Sequence, residues 1–265
     1  TLQKGLRDLA QAMDGPSLRQ WLQEEPPPIA VADSGVLSET TPRPQPDSTD
    51  TLPIAVAWTS SPLGFSSLGN LPSEVDHFVG RGSDLDALAD LVTKSRLITV
   101  MGPGGMGKTR LCTEFARRQG GNTDFQGKTW FCDLTDAEDL EDIQGVLIPF
   151  LGDIVADDRH SGDWIQVCGE RFAEMGPLLL VLDNAEQIVG EVASVLSRWL
   201  PMTSETIFLV TSRERLGVQG EASYPLEPLD VKEGIALFVD RARAFHPRFE
   251  LAPGEIEVAE AIVQR

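Results

Sequence analysis

Lys108 and Thr109 close the run Gly102-Pro103-Gly104-Gly105-Met106-Gly107-Lys108-Thr109, which fits G-x-x-x-x-G-K-[ST]. Those residue types at that spacing suit the holding of a polyphosphate. Glycines let successive backbone N–H groups turn inward around a phosphate, where a side chain would clash. Lys108 offers a mobile positive charge to the β- and γ-phosphates, and Thr109 offers a hydroxyl to Mg²⁺. A second candidate group ends the run Leu178-Leu179-Leu180-Val181-Leu182-Asp183. One carboxylate delivered by a buried strand to the carboxyl edge of a sheet is how a magnesium ion is held opposite such a threonine. Asp183 can also cap the helix that follows at Ala185, and the two roles are compatible. A third run, Ile207-Phe208-Leu209-Val210-Thr211-Ser212-Arg213, brings Thr211, Ser212 and Arg213 to the same edge. An arginine there reads a γ-phosphate, or else pairs with an acidic neighbour.

These groups need elements to position them. Leu97-Ile98-Thr99-Val100-Met101 reads as the strand that feeds the glycine loop, with a helix over 108–119 carrying Leu111 and Phe115 inward. The helix start adds unpaired N–H groups and the positive end of its dipole to the loop. Strands follow over 129–133, 178–183, 206–211 and 222–226. Between them lie helices marked by Leu140, Ile143, Leu147 and Phe150, by Ile165, Cys168 and Phe172, and by Ile188, Val192, Val195, Leu196 and Trp199. The run at 178–182 is too uniformly apolar for a half-exposed strand, so it belongs in the centre of a parallel sheet covered on both faces. The series predicts an α/β, doubly wound parallel sheet of about five strands. After Asp230 the strands stop. Asp230-x-x-Glu233 caps a helix with Ile235, Phe238, Val239 and Ala242, and another begins near Pro253 and runs to Arg265.

The expected organisation is a helical tail of an upstream element over 1–23, a Pro/Ser/Thr-rich linker over 24–73, a nucleotide-binding domain over 74–229 and the start of a helical subdomain over 230–265. The chain reads as part of something longer. With 41 acidic against 22 basic residues in 265, the net charge of −19 argues against direct nucleic-acid binding by this segment. Six of those acids fall in 133–142, where Thr135-x-x-Glu138 reads as a capping box and the acids as a solvated helix start. Cys112, Cys132 and Cys168 show no C-x-x-C spacing and read as core residues in a reducing compartment. His77, His160 and His246 are scattered singly. No stretch reaches the ~18 apolar residues of a membrane span, no signal peptide opens the chain, and the cytoplasm is expected.

Taken in order, Val79-Gly80-Arg81, the GPGGMGKTR loop, LLLVLDNAEQ, FLVTSRERL and YPLEPL make the resemblance specific. Over about residues 75–265 the chain resembles the STAND class of signalling NTPases, relatives of the NB-ARC and apoptotic ATPases. It is most similar to the bacterial branch that accompanies transcriptional regulators, cyclases and protein kinases. The resemblance implies a P-loop NTPase fold and an ATP/ADP switch with Mg²⁺. It implies that Val79, Gly80, Arg81 and Pro225 lie at the nucleotide, together with Gly102, Pro103, Gly104, Gly105, Met106, Gly107, Lys108, Thr109 and Arg110 of the loop. Thr109 and Asp183 would serve the metal, Arg213 would be the sensor arginine, and residues from 230 would close over the nucleotide. Two positions depart from the pattern: Gly82 stands where a glutamate is usual, and Asn184 after Asp183 cannot act as a base. Glu186 is then the nearest candidate base, and slow turnover coupled to an effector outside this segment is expected, with nucleotide-dependent oligomers as a further expectation. An oligomeric, AAA-like remodelling ATPase and a non-catalytic scaffold stabilised by nucleotide are the alternative readings.

Overall fold

Neighbouring parallel strands need crossovers, and the helical stretches of this sequence supply them. The structure, a computed structural model, describes residues 70–74, 76–120, 125, 128–151 and 163–263. The chain divides into two units, residues 1–64 and 65–265, and every described residue lies in the second. The helical tail expected over 1–23, and the linker expected over 24–73 up to residue 69, fall outside the described residues.

In chain order the elements are α1 (Gly82–Val92), β1 (Leu97–Met101), α2 (Lys108–Gly120), β2 (Thr129–Asp133), α3 (Leu140–Leu151), α4 (Trp164–Met175), β3 (Leu178–Asp183), α5 (Val189–Met202), β4 (Thr206–Ser212), β5 (Glu221–Pro225), α6 (Val231–Phe245) and α7 (Ile256–Val263). Short 3₁₀ turns at Ala185–Gln187 and Pro253–Glu255 precede α5 and α7. The five strands form one sheet in the order β2-β3-β4-β1-β5, with every pairing parallel. The chain therefore leaves β1 for the far edge, returns strand by strand until β4 lies beside β1, and then crosses to its other side.

Period-2 alternation splits the core between the two faces. Leu178, Leu180 and Leu182 of β3 share one face with Phe208 and Val210 of β4, under α3, α4 and α5. Leu179 and Val181 share the other with Ile98, Val100, Ile207 and Leu209, under α1 and α2. Trp199 anchors α5 on the first face: it is fully buried, stacks on Phe208 at 6.0 Å between ring centroids, and donates its indole N–H to the Ile165 carbonyl at 2.8 Å. α2 leaves β1 on one face and α5 follows β3 on the other, so the strand order reverses at the carboxyl ends of β1 and β4, the place where open α/β sheets bind ligands.

The acidic run after β2 folds differently from its expected capping box. Asp133 accepts from both the N–H and the hydroxyl of Thr135 and so makes a local turn. Asp139 takes the cap instead, accepting from Glu141 and Asp142 N–H, and α3 starts at Leu140. The strand end offers Thr135 a nearer partner than a helix start could. All three cysteines are buried free thiols, and burial pushes Cys168 up to about 12. Among the described residues, no helix is long and apolar enough to cross a membrane.

Candidate functional site

The glycine loop between β1 and α2 is shaped by backbone that other residues avoid: Gly105 and Gly107 hold φ 81° and 87°. Lys108, the first residue of α2, is buried and folds back over the loop, its Nζ donating to the carbonyls of Gly102 at 2.8 Å and Pro103 at 3.2 Å. A helix start would by itself leave a lysine facing solvent. The side chain instead turns inward, where the loop carbonyls accept from its ammonium.

Asp183 ends β3 almost completely buried. Its Oδ2 accepts from the Thr109 hydroxyl at 2.9 Å and its Oδ1 from the Thr211 hydroxyl at 2.6 Å. Asn184 holds φ 62°, sends its amide to Asp183 Oδ2 at 3.0 Å and to Thr135 Oγ1 at 2.8 Å, and donates its backbone N–H to Thr211 Oγ1 at 2.9 Å. Burial is the main cause that pushes the Asp183 carboxyl up. The Thr211 and Thr109 hydroxyls oppose that shift, while Asp133 and Glu186 add like charge. A divalent cation beside Asp183 would reverse this balance. A hydroxyl and a carboxylate in contact, both hard oxygen donors, suit Mg²⁺, which takes one or two carboxylates and completes its shell with phosphate and water. The donor set thus fits the ion that the glycine loop implies.

Arg213 follows β4 and reaches across the loop: a Cβ at Gly104 would stand 3.8 Å from one of its guanidinium nitrogens. Its Nε donates to Glu186 Oε1 at 3.1 Å, with Arg213 two-thirds exposed and Glu186 largely covered. The other Glu186 oxygen is buried without a hydrogen-bond partner. The two readings of Arg213, phosphate reader and ion-pair partner, meet in one residue that hangs over the loop while paired to a carboxylate.

The Val79-Gly80-Arg81 stretch lies beside the loop. Arg81 turns its guanidinium inward onto the carbonyls of Met106 and Glu227, while Glu233 of α6 covers Gly80. Arg110 points outward to the backbone and carboxylate of Asp76. Pro225 ends β5 opposite Met101 in the register of β1. The structure thus brings together Lys108, Thr109, Asp183, Arg213 and Glu186 at one edge, with Arg81 behind the loop. Sequence reasoning puts Thr211 at that edge as a strand residue and Asp133 among the surface acids, and it assigns neither a role at the site. Thr211 is visible in the sequence as a hydroxyl in an apolar strand, but β4 must be known to neighbour β3 before that hydroxyl can be assigned.

The chain matches no protein-family model. It is 31% identical over 175 residues to an uncharacterised protein of Mycobacterium tuberculosis, a match covering 66% of this chain and 43% of that one. A second M. tuberculosis protein, named as a candidate HTH-type transcriptional regulator, is 29% identical over 163 residues, covering 61% of this chain and 18% of its own length. The chain therefore spans less than half of the curated relatives it matches. Among solved structures it resembles a Signal Transduction ATPase with Numerous Domains carrying a tetratricopeptide repeat sensor, from Pyrococcus horikoshii. The TM-score is 0.51 at 20% identity, over 77% of this chain and 30% of the other. The Orc1 protein of Aeropyrum pernix, solved with DNA, gives a TM-score of 0.52 at 20% identity, over 72% of this chain and 56% of the other. The fold is that of P-loop ATPase domains.

Proposed function

We propose that the chain binds Mg-ATP and Mg-ADP at the loop 102–109 and serves as the nucleotide-controlled switch of a multidomain signal-transduction ATPase of the STAND type. The observation that carries this reading is the contact of the Thr109 hydroxyl with Asp183, made at an edge that Lys108 and Arg213 share. In this reading the Lys108 ammonium leaves the loop carbonyls for the β- and γ-phosphate oxygens, and the loop N–H groups bind the same phosphates. Thr109 and Asp183 would hold Mg²⁺, which would supply charge neutralisation for the phosphates there. Val79, Gly80 and Pro225 border the base. Arg213 reads the γ-phosphate, and in doing so gives up its bond to Glu186, the nearest carboxylate that could take a proton from water. Asn184, occupying the position after Asp183, has no basic group, which fits slow turnover.

The effector of such a switch lies outside this 265-residue segment. The greater length of the relatives and the regulator name that one of them carries support this placement. The acidic balance of the segment supports a protein or intramolecular partner over nucleic acid. Calorimetric titration with Mg-ATP tests the binding site. The wild-type chain should bind, and Lys108→Ala should lose affinity on the order of a hundredfold, because hydrogen bonds to charged groups contribute roughly 1.5–3 kcal/mol each. Equal affinity in the two proteins would remove the loop from the site.

A further inference from the structure

Arg81 holds a left-handed backbone, φ 64° and ψ 19°, without a glycine's freedom, and its side chain is only 9% exposed. Its guanidinium is shared between two parts of the fold. One nitrogen donates to the Met106 carbonyl in the glycine loop at 3.1 Å. The other donates to the Glu227 carbonyl at 2.6 Å, in the segment that leads from β5 into α6. Asp84 holds the fork in place with an ion pair at 3.1 Å, and the Tyr224 hydroxyl donates to its other oxygen at 2.5 Å. Burial and then Asp84 push that hydroxyl up to about 12, so it stays a donor. The Arg81 backbone N–H donates to Glu233 Oε1 of α6 at 2.9 Å, using the carboxylate that a capping box would have returned to Asp230.

We propose that Arg81 is a positioning residue that couples the phosphate loop to the helical arm, with Asp84 and Tyr224 fixing its guanidinium. The inference rests on the reading of the loop as a phosphate site. A trans peptide is planar, with its C=O and the following N–H pointing opposite ways. Holding the Met106 oxygen on Arg81 therefore turns the Gly107 N–H to the other side, where it serves as a phosphate donor. That peptide is the one that needs holding, because Gly107 at φ 87° has no Cβ to resist a flip. The same guanidinium grips Glu227, so a movement of the arm pulls on the donor geometry of the loop, and a phosphate bound in the loop steadies the arm. A planar fork can satisfy two carbonyls and a carboxylate at once; an ammonium at the end of a flexible stem cannot reproduce that geometry.

The test uses the 265-residue chain with Mg-ADP as probe. Calorimetry gives affinity, and hydrogen exchange of the 226–233 segment gives the response of the arm. In the wild type, Mg-ADP should slow exchange in 226–233. In Arg81→Lys, affinity should fall on the order of tenfold and the change in 226–233 exchange should vanish. Tyr224→Phe, which deletes one hydroxyl at an edge strand, should weaken both readouts in the same direction and serves alone if Arg81→Lys does not fold. The double variant should bind no more weakly than Arg81→Lys, because the tyrosine acts through the guanidinium. Wild-type affinity and arm response in Arg81→Lys, or in Tyr224→Phe where it stands alone, would overturn the coupling, as would losses that multiply in the double variant. Absence of Mg-ADP binding by the wild type would instead overturn the nucleotide reading, and this inference with it.

Discussion

At the scale of single residues, the site is a set of short contacts that bound nucleotide would rearrange. Lys108 is bonded to two loop carbonyls, so Lys108→Ala removes both the phosphate charge and those two bonds. The variant's thermal midpoint should fall slightly while its Mg-ATP affinity collapses. Asp183→Asn should weaken nucleotide binding when Mg²⁺ is present and leave it unchanged in EDTA, because in the proposed site the carboxylate would act through the ion. Calorimetry under the two conditions separates that role from a purely structural one, in which Asp183 only ties Thr109 to Thr211 and both affinities would drop together. Arg213→Ala should bring the ATP and ADP affinities closer by about ten- to hundredfold and suppress hydrolysis, since in the proposed reading its guanidinium would bond to a phosphoryl group that ADP lacks. An unchanged ratio would leave Arg213 as no more than the partner of Glu186. Lys108, Thr109, Asp183 and Arg213 are legible in the sequence because each sits at a fixed offset from a strand end. The Arg213–Glu186 pair and the inward turn of Lys108 are not, because both are choices among acceptors that only the assembled edge presents.

At the scale of elements, α2 carries the loop and is tied down along its outer side. Glu114 accepts from Arg117 at 3.1 Å and Arg118 at 2.8 Å, and Arg117 also reaches Glu74 and the Pro72 carbonyl. Burial alone would raise the Glu114 carboxyl, but the hydrogen bonds and charges of Arg118 and Arg117 outweigh it and hold the group below the ordinary carboxylate range. A depressed folded-state value contributes stability above the unfolded value, and that stability is lost as pH falls through the folded one. Glu114→Gln should therefore cost about 1 kcal/mol near neutrality, and the gap to wild type should close on acidification. Chemical denaturation at several pH values reads this out, and a gap that persists in acid would assign the loss to packing. Strand and helix positions at 97–120 and 178–202 follow from local periodicity. The insertion of β4 between β1 and β3 does not, because strand order is set by pairings between distant segments. The same holds for Thr211, whose role appears only once β4 lies against β3. Local chemistry also misleads at Thr135, where a turn onto Asp133 competes with the helix cap and wins.

At the scale of the whole described unit, two blocks meet along Val79-Gly80-Arg81: the sheet with its phosphate loop, and the arm of α6 and α7. The contact between Arg81 and Glu233 spans 152 residues of sequence, so no local pattern could announce it. The sequence order of core then arm is nonetheless visible at Asp230, where strand alternation gives way to helical spacing and Asp230 accepts from the Glu233 N–H at 2.8 Å. A switch requires that one ligand favour one arrangement of these blocks, and a shift from mostly one state to mostly the other needs a differential affinity of several kcal/mol. In the proposed switch that difference is the γ-phosphate, which Arg213 would read on one side of the loop. Hydrogen exchange of the wild-type chain, compared between Mg-ADP and a non-hydrolysable Mg-ATP analogue, measures it most directly. Both ligands should slow exchange in 102–109, and the 227–245 segment should exchange differently under the two. Equal exchange of 227–245 under both ligands, with 102–109 slowed by each, would contradict the switch and leave a nucleotide-binding domain that does not distinguish its ligands.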